Sequence, residues 1–173
     1  MNERIKPNKM KKIQIVKKGL KEFCLETWPV SYYQWPLRIG IVFFRLLGTP
    51  GETKFEVIVP LYPEPASLEL YRLDTIGVKG GSPLQDALKY ALILMNESTR
   101  KIKQIKLIGD GGNDGPDPNP FAEEIGKSGI LLDCIELSDS TSEIMKDIAR
   151  ASNGKYYQVR NTDEFLQTIK RED

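Results

Sequence analysis

Two glycine-rich stretches carry the residue types in this chain most suited to chemistry. The first is Gly80-Gly81-Ser82-Pro83-Leu84, a tight turn running into a helix start. Ser82 stands where an N-cap residue belongs, just before Pro83, so its hydroxyl either only caps the helix or also faces an ion at the helix terminus. The second is Asp110 and the loop behind it, Gly111-Gly112-Asn113-Asp114-Gly115-Pro116-Asp117-Pro118-Asn119-Pro120. Asp110 directly follows an apolar strand-like segment, and it is either a turn aspartate or a functional carboxylate. A hydroxyl and a carboxylate are hard oxygen donors. A metal held by them is Mg²⁺, Mn²⁺ or Ca²⁺.

What is missing narrows the chemistry further. There is no histidine, which removes Ser-His-Asp and Cys-His pairs and histidine-rich zinc sites. The two cysteines, Cys24 and Cys134, lie far apart in apolar segments, so a thiolate zinc cluster is excluded and both read as buried thiols of a reducing, cytoplasmic protein. The loop from Asp110 fails the calcium-hand pattern: its third position is Gly112, and its twelfth is Phe121 where a bidentate glutamate is required. Neither a G-x-x-x-x-G-K-[ST] phosphate loop nor a G-x-G-x-x-G after a first strand is present. The formal net charge is +1, so no global field points to nucleic acid or to a membrane surface. No apolar stretch approaches the ~20 residues of a membrane helix, and the polar, lysine-rich start has no apolar segment of a signal peptide behind it.

The elements that must position Ser82 and Asp110 follow from periodicity. Met10, Ile13, Val16, Leu20, Phe23 and Cys24 recur at helical spacing, which predicts an amphipathic helix ending before Pro29. Its lysines at 11, 12, 17, 18 and 21 read as a solvated face, the alternative being contact with phosphates or an acidic partner. Residues 37–44 form a nearly continuous apolar run, as in a strand covered on both sides. The turn Gly48-Thr49-Pro50-Gly51 then leads to a second strand from Phe55 to Leu61, interrupted by Pro60 and read as an edge. Residues 62–82 read as loop. A helix then opens at Pro83, with Leu84, Ala87, Leu88, Ala91, Leu92 and Met95 on its buried face. A strand at 105–108 ends at Asp110. Beyond it the order is helix (about 120–128), strand (130–137), helix (about 141–151), strand (156–159) and helix (about 162–170). Ser152-Asn153-Gly154 caps the penultimate helix. This alternation predicts one α/β domain over residues 1–173: three layers, a mainly parallel sheet with helices on both faces and one antiparallel edge strand. Ligands in such sheets bind at the carboxyl ends of the strands, where both stretches fall.

Together these pieces resemble the von Willebrand factor A (vWA) domains. Arg38-Ile39-Gly40-Ile41-Val42-Phe43-Phe44 looks like the family's second strand. Gly80-Gly81-Ser82-Pro83-Leu84 with Ala87-Leu88 resembles its "GGTPL..AL" motif, and Ile108-Gly109-Asp110-Gly111 its "TDG" motif. Ile148-Ala149, Asn153-Gly154-Lys155-Tyr156-Tyr157 and Phe165-Leu166 resemble its closing helix, strand and helix. The resemblance implies a Rossmann-like fold and a metal-ion-dependent adhesion site, usually for Mg²⁺. Ser82 then stands for the family's ligating threonine and Asp110 for its loop aspartate. The family's D-x-S-x-S ligands follow a central first strand, and neither that motif nor that strand is found here; Met1 leads into the first helix. Three explanations are compatible with this: the protein starts upstream, another chain donates the strand, or the two inner edges close on each other. As written, the site is partial. Arg4-Ile5-Lys6-Pro7-Asn8-Lys9-Met10 followed by a helix also resembles one intracellular branch, the vWA subunit of the general transcription and DNA-repair factor.

The expected function is protein–protein interaction, with a bound Mg²⁺ accepting an acidic side chain of the partner as its last ligand. The alternative is an intracellular scaffold that binds partners without metal. A third class, a metal-dependent phosphate hydrolase using Asp110, lacks both a second carboxylate within two residues and a phosphate loop, and the chain is expected not to be an enzyme.

Overall fold

The computed structural model describes residues 7–33, 39–46, 52–59, 70–77 and 80–171. The element order is α1 (Pro7–Tyr33), β1 (Ile41–Leu46), β2 (Thr53–Val59), α2 (Arg72–Thr75), α3 (Leu84–Glu97), β3 (Gln104–Gly109), α4 (Asn119–Lys127), β4 (Leu131–Leu137), α5 (Glu143–Ala151), β5 (Tyr156–Val159) and α6 (Thr162–Ile169). It is an α/β fold with a parallel three-stranded sheet flanked by helices and an antiparallel two-stranded sheet. The strands β3, β4 and β5 lie in that order, and β1 pairs with β2. The chain packs as two compact units.

The larger unit holds residues 44–54 and 80–160. Its parallel register runs from Gln104↔Leu131 to Gly109↔Glu136, and from Cys134↔Tyr156 to Leu137↔Val159. The strands β3, β4 and β5 therefore end on the same rim. Leu132 and Cys134 of β4 join Ile105 and Leu107 of β3 in one apolar cluster with Leu84, Leu88 and Leu92 of α3, Ile125 of α4 and Met145 and Ile148 of α5. The intervening β4 residues, Ile135 and Leu137, are buried too. A strand buried on both faces needs apolar residues in succession, which is why 130–137 reads as a run and not as an alternation. Asp133 breaks that run. Its buried carboxylate accepts from the Lys155 backbone N–H (3.0 Å) and the Gln104 side-chain amide (3.0 Å), with Lys106 Nζ at 3.5 Å, so its polarity is satisfied in place.

The smaller unit holds residues 1–43, 55–79 and 161–173. In it α1 packs on α6, where Phe165 is fully buried. Lys17 is buried on α1, and its ammonium donates to the carbonyls of Asp74 (3.1 Å) and Ile76 (2.7 Å) at the end of α2. This satisfies carbonyls that a short helix leaves unpaired. Lys21 pairs with the Asp74 carboxylate at 2.6 Å, and Lys170 with Glu26.

Several expectations are corrected here. α1 does not end before Pro29 but continues to Tyr33. A proline inside a helix forfeits one backbone bond, and a helix can absorb that where its remaining turns are held. The stretch read as loop contains the one-turn helix α2, too short to show a period. Ser82 is not the N-cap of α3. Pro83 occupies that position, with no side-chain cap bond. The cap expected after α5 is present: Asn153 takes the left-handed conformation (φ 57°), and the Gly154 N–H bonds to the Ala149 carbonyl at 2.8 Å. The turn at 48–51, the prolines at 60, 63 and 65, and residues 1–6 of the N-terminal stretch lie outside the described residues. Among the described residues β1–β2 and β3–β4–β5 are separate sheets.

Candidate binding rim at the strand ends

The two glycine-rich stretches meet on the rim. Gly80 has φ 97°, and a Cβ there would collide with the Leu46 carbonyl, so the turn lies directly against the end of β1. The Leu46 N–H donates to the Gly81 carbonyl at 3.2 Å. From this turn the backbone N–H of Ser82 donates to the Asp114 carboxylate at 2.7 Å, and the Asp114 N–H returns a bond to the Ser82 carbonyl at 2.9 Å. The Leu84 N–H, at the start of α3, donates to the Asn113 side-chain oxygen at 3.2 Å. Asn113 in turn donates to the carbonyls of Gly115 (3.0 Å) and Pro116 (3.1 Å), which folds the loop back on itself. The cap that a serine would supply to α3 is thus supplied from another segment. Asp114 adds a negative charge where the helix dipole favours one.

Ser82 is half-buried. Asp110 is half-buried and follows the last residue of β3. The loop that begins at Asp110 is therefore the loop bonded to Ser82. The rest of the 110–120 stretch acts as a brace: the Asp117 carboxylate accepts from the Asn119 N–H at 3.0 Å, and the Gln85 amide donates to the Asp117 carbonyl at 3.2 Å.

Behind Asp110 lies a polar cluster that the sequence reading did not include. Glu136, the register partner of Gly109, is 1% exposed. Its carboxylate accepts from the Ser142 N–H at 2.9 Å and from the Tyr156 hydroxyl at 2.7 Å. The Ser142 hydroxyl donates to the Gly111 carbonyl at 2.9 Å. Burial first, and then the bond to the Glu136 carboxylate, push the Tyr156 hydroxyl well above its ordinary pKa, so it stays a donor throughout the neutral range. The signal for Glu136 was present: an acidic residue at an inward position of a strand whose other inward residues, Leu132 and Cys134, are apolar. Asn113 and Asp114 gave no such signal, since loop aspartates and asparagines are ordinary turn residues.

Ser82 and Asp110 offer one hydroxyl and one carboxylate, the right chemistry for a hard dication. They are only two side chains, and among the described residues no three acidic or cysteine side chains cluster to hold a metal. A Mg²⁺ there would keep most of its water, as this ion commonly does when bound through one or two carboxylates. Both cysteines are free and buried, and burial raises each thiol to about 12. Among the described residues no helix is long and apolar enough to cross a membrane.

No family profile matches the sequence, and no curated protein matches it. Solved structures do match its shape. An aerotolerance-related membrane protein from Bacteroides fragilis, carrying multiple mutations to serine, is 16% identical with a TM-score of 0.67 over 91% of this chain and 85% of its own. The VWA domain of SpRpn10 is 11% identical with a TM-score of 0.67 over 89% of this chain and 82% of its own. Proximal thread matrix protein 1 from the mussel byssus, with a zinc-occupied MIDAS motif, is 18% identical with a TM-score of 0.64 over 90% of this chain and 38% of its own. At such identities the likeness speaks of backbone architecture, and that architecture is the von Willebrand factor A fold.

Proposed function

We propose that this chain is a non-enzymatic protein-interaction module of vWA type, and that its contact surface is the rim formed by the Ser82 turn and the Asp110 loop. The observation that carries this reading is the bonding between Asn113–Asp114 and Ser82–Leu84, which builds one rigid surface from two strand-end loops. A surface held rigid before contact loses little conformational freedom on binding. Ser82 and Asp110 are the candidate ligands of a Mg²⁺ ion that would accept a carboxylate from the partner. The zinc in the MIDAS motif of the mussel protein supports a cation in this region of the fold. The two buried free thiols support a cytoplasmic location.

The test is calorimetric titration of Mg²⁺ into the chain and into Asp110→Ala. The expected result is weak binding, in the millimolar range that so few chain ligands imply, and its loss in the variant. Absence of any heat in the parent chain overturns the metal part. One observation favours a second reading, a scaffold that contacts partners without metal: hydrogen bonds between protein groups themselves join the two loops. Partner capture unchanged by EDTA and by Asp110→Ala distinguishes that reading from the first.

A further inference from the structure

Glu136 is a charged group in a position where an apolar one would pack, and its two bonded donors are both neutral. A buried carboxylate is costly unless its bonds do something that an apolar residue does not. Ser142 shows what they do. It occupies the N-cap of α5 in extended conformation, yet makes no side-chain cap bond to that helix. Its hydroxyl is turned instead to the Gly111 carbonyl (2.9 Å), and its N–H to Glu136 (2.9 Å). Gly111 sits so close that a Cβ would lie 2.7 Å from the Ser142 Cβ and 2.8 Å from the Glu136 carboxylate, and its φ is 89°. The turn that carries Asp110 thus rests on a bonded base of Glu136, Ser142 and Tyr156, which belong to β4, the start of α5 and β5.

We infer that Glu136 is a positioning residue: through Ser142, and braced by Tyr156, it holds the Gly109–Gly112 turn so that Asp110 is set before any ligand arrives. This deepens the reading of the rim as a binding surface, and rests on it for its purpose. It also divides the labour on the rim. Asn113 and Asp114 hold the far part of the loop to α3, while Glu136 and Ser142 hold its near end to the sheet.

Amide hydrogen exchange of the full chain tests this, with Tyr156→Phe, Ser142→Ala and Ser142→Thr as variants. The amides of residues 110–112 should exchange about fivefold to tenfold faster in Tyr156→Phe and Ser142→Ala, the effect of losing one hydrogen bond. The amides of 132–135 should keep their parent rates, and Ser142→Thr, which retains the hydroxyl, should restore slow exchange at 110–112. Unchanged exchange at 110–112 in both variants overturns the inference. So does a rise shared equally by 132–135, which marks general loosening and no local hold. A Mn²⁺ titration followed by water-proton relaxation gives the separate arm. If the parent binds Mn²⁺, the two loosened variants should bind it several-fold more weakly. If the parent binds none, the cation reading of the rim fails while the exchange result decides the positioning role on its own.

Discussion

Asp110, Asn113 and Gly111 do different work within four residues of loop, and substitution should separate them. Asp110→Ala removes a half-buried rim carboxylate, so it should abolish any Mg²⁺ heat of the parent chain in calorimetric titration. Asn113→Ala takes the accepting oxygen from the first N–H of α3 and should cost about 1 kcal/mol in urea unfolding, the usual value of a lost helix cap. Gly111→Ala should cost more, about 1–3 kcal/mol, since it combines a left-handed backbone with a collision against Ser142 and Glu136. Of these residues the sequence singles out only Asp110 as a candidate, because it follows an apolar strand directly. The bond from Asn113 to Leu84 joins residues 29 apart in the chain, and no local pattern encodes it.

At the scale of elements, periodicity identified the helices and strands from α3 onward to within a residue or two, while β1 begins at Ile41 and not at residue 37. The misreadings fell where local signals compete with packing. Pro29 reads as a stop, yet α1 runs on to Tyr33, and α2 has too few residues to show a repeat. By spacing Lys17 belongs to a solvated lysine face, but the fold buries it against the end of α2. Lys17→Met should therefore destabilise the chain by about 1–3 kcal/mol in urea unfolding, because the Asp74 and Ile76 carbonyls lose their donor. A merely solvated lysine would show no change.

For the molecule as a whole, the buried thiols make a prediction about pH. Both have folded pKa values raised to about 12 from 9.0, so between these limits the folded chain holds protons that the unfolded chain releases. Stability contributed by the neutral thiols is complete below pH 9 and falls as pH rises toward 12. Urea midpoints should accordingly match at pH 7 and 8 and drop by pH 10.5, and both thiols should resist alkylation until the chain unfolds. A Mg²⁺ ion bound at the proposed site would act in the other direction only by mass action. At ten times its dissociation constant it would add about 1.4 kcal/mol, so a thermal shift should appear only at high concentration and vanish in Asp110→Ala.

Sequence alone determined the α/β class, the order of strands and helices from Pro83 onward, and the placing of Ser82 and Asp110 at strand ends. These follow from local periods of two and 3.6 residues and from turn residues, which act over a few positions. Tertiary structure alone decided that Asn113 caps α3 and Asp114 holds the Ser82 turn, that Glu136 and Ser142 underlie the Asp110 turn, that Lys17 is buried, and that the described strands form two separate sheets. Each of these depends on which distant segments share a surface. A hydrogen bond or a packed face between residues tens of positions apart leaves no period in the chain to be read.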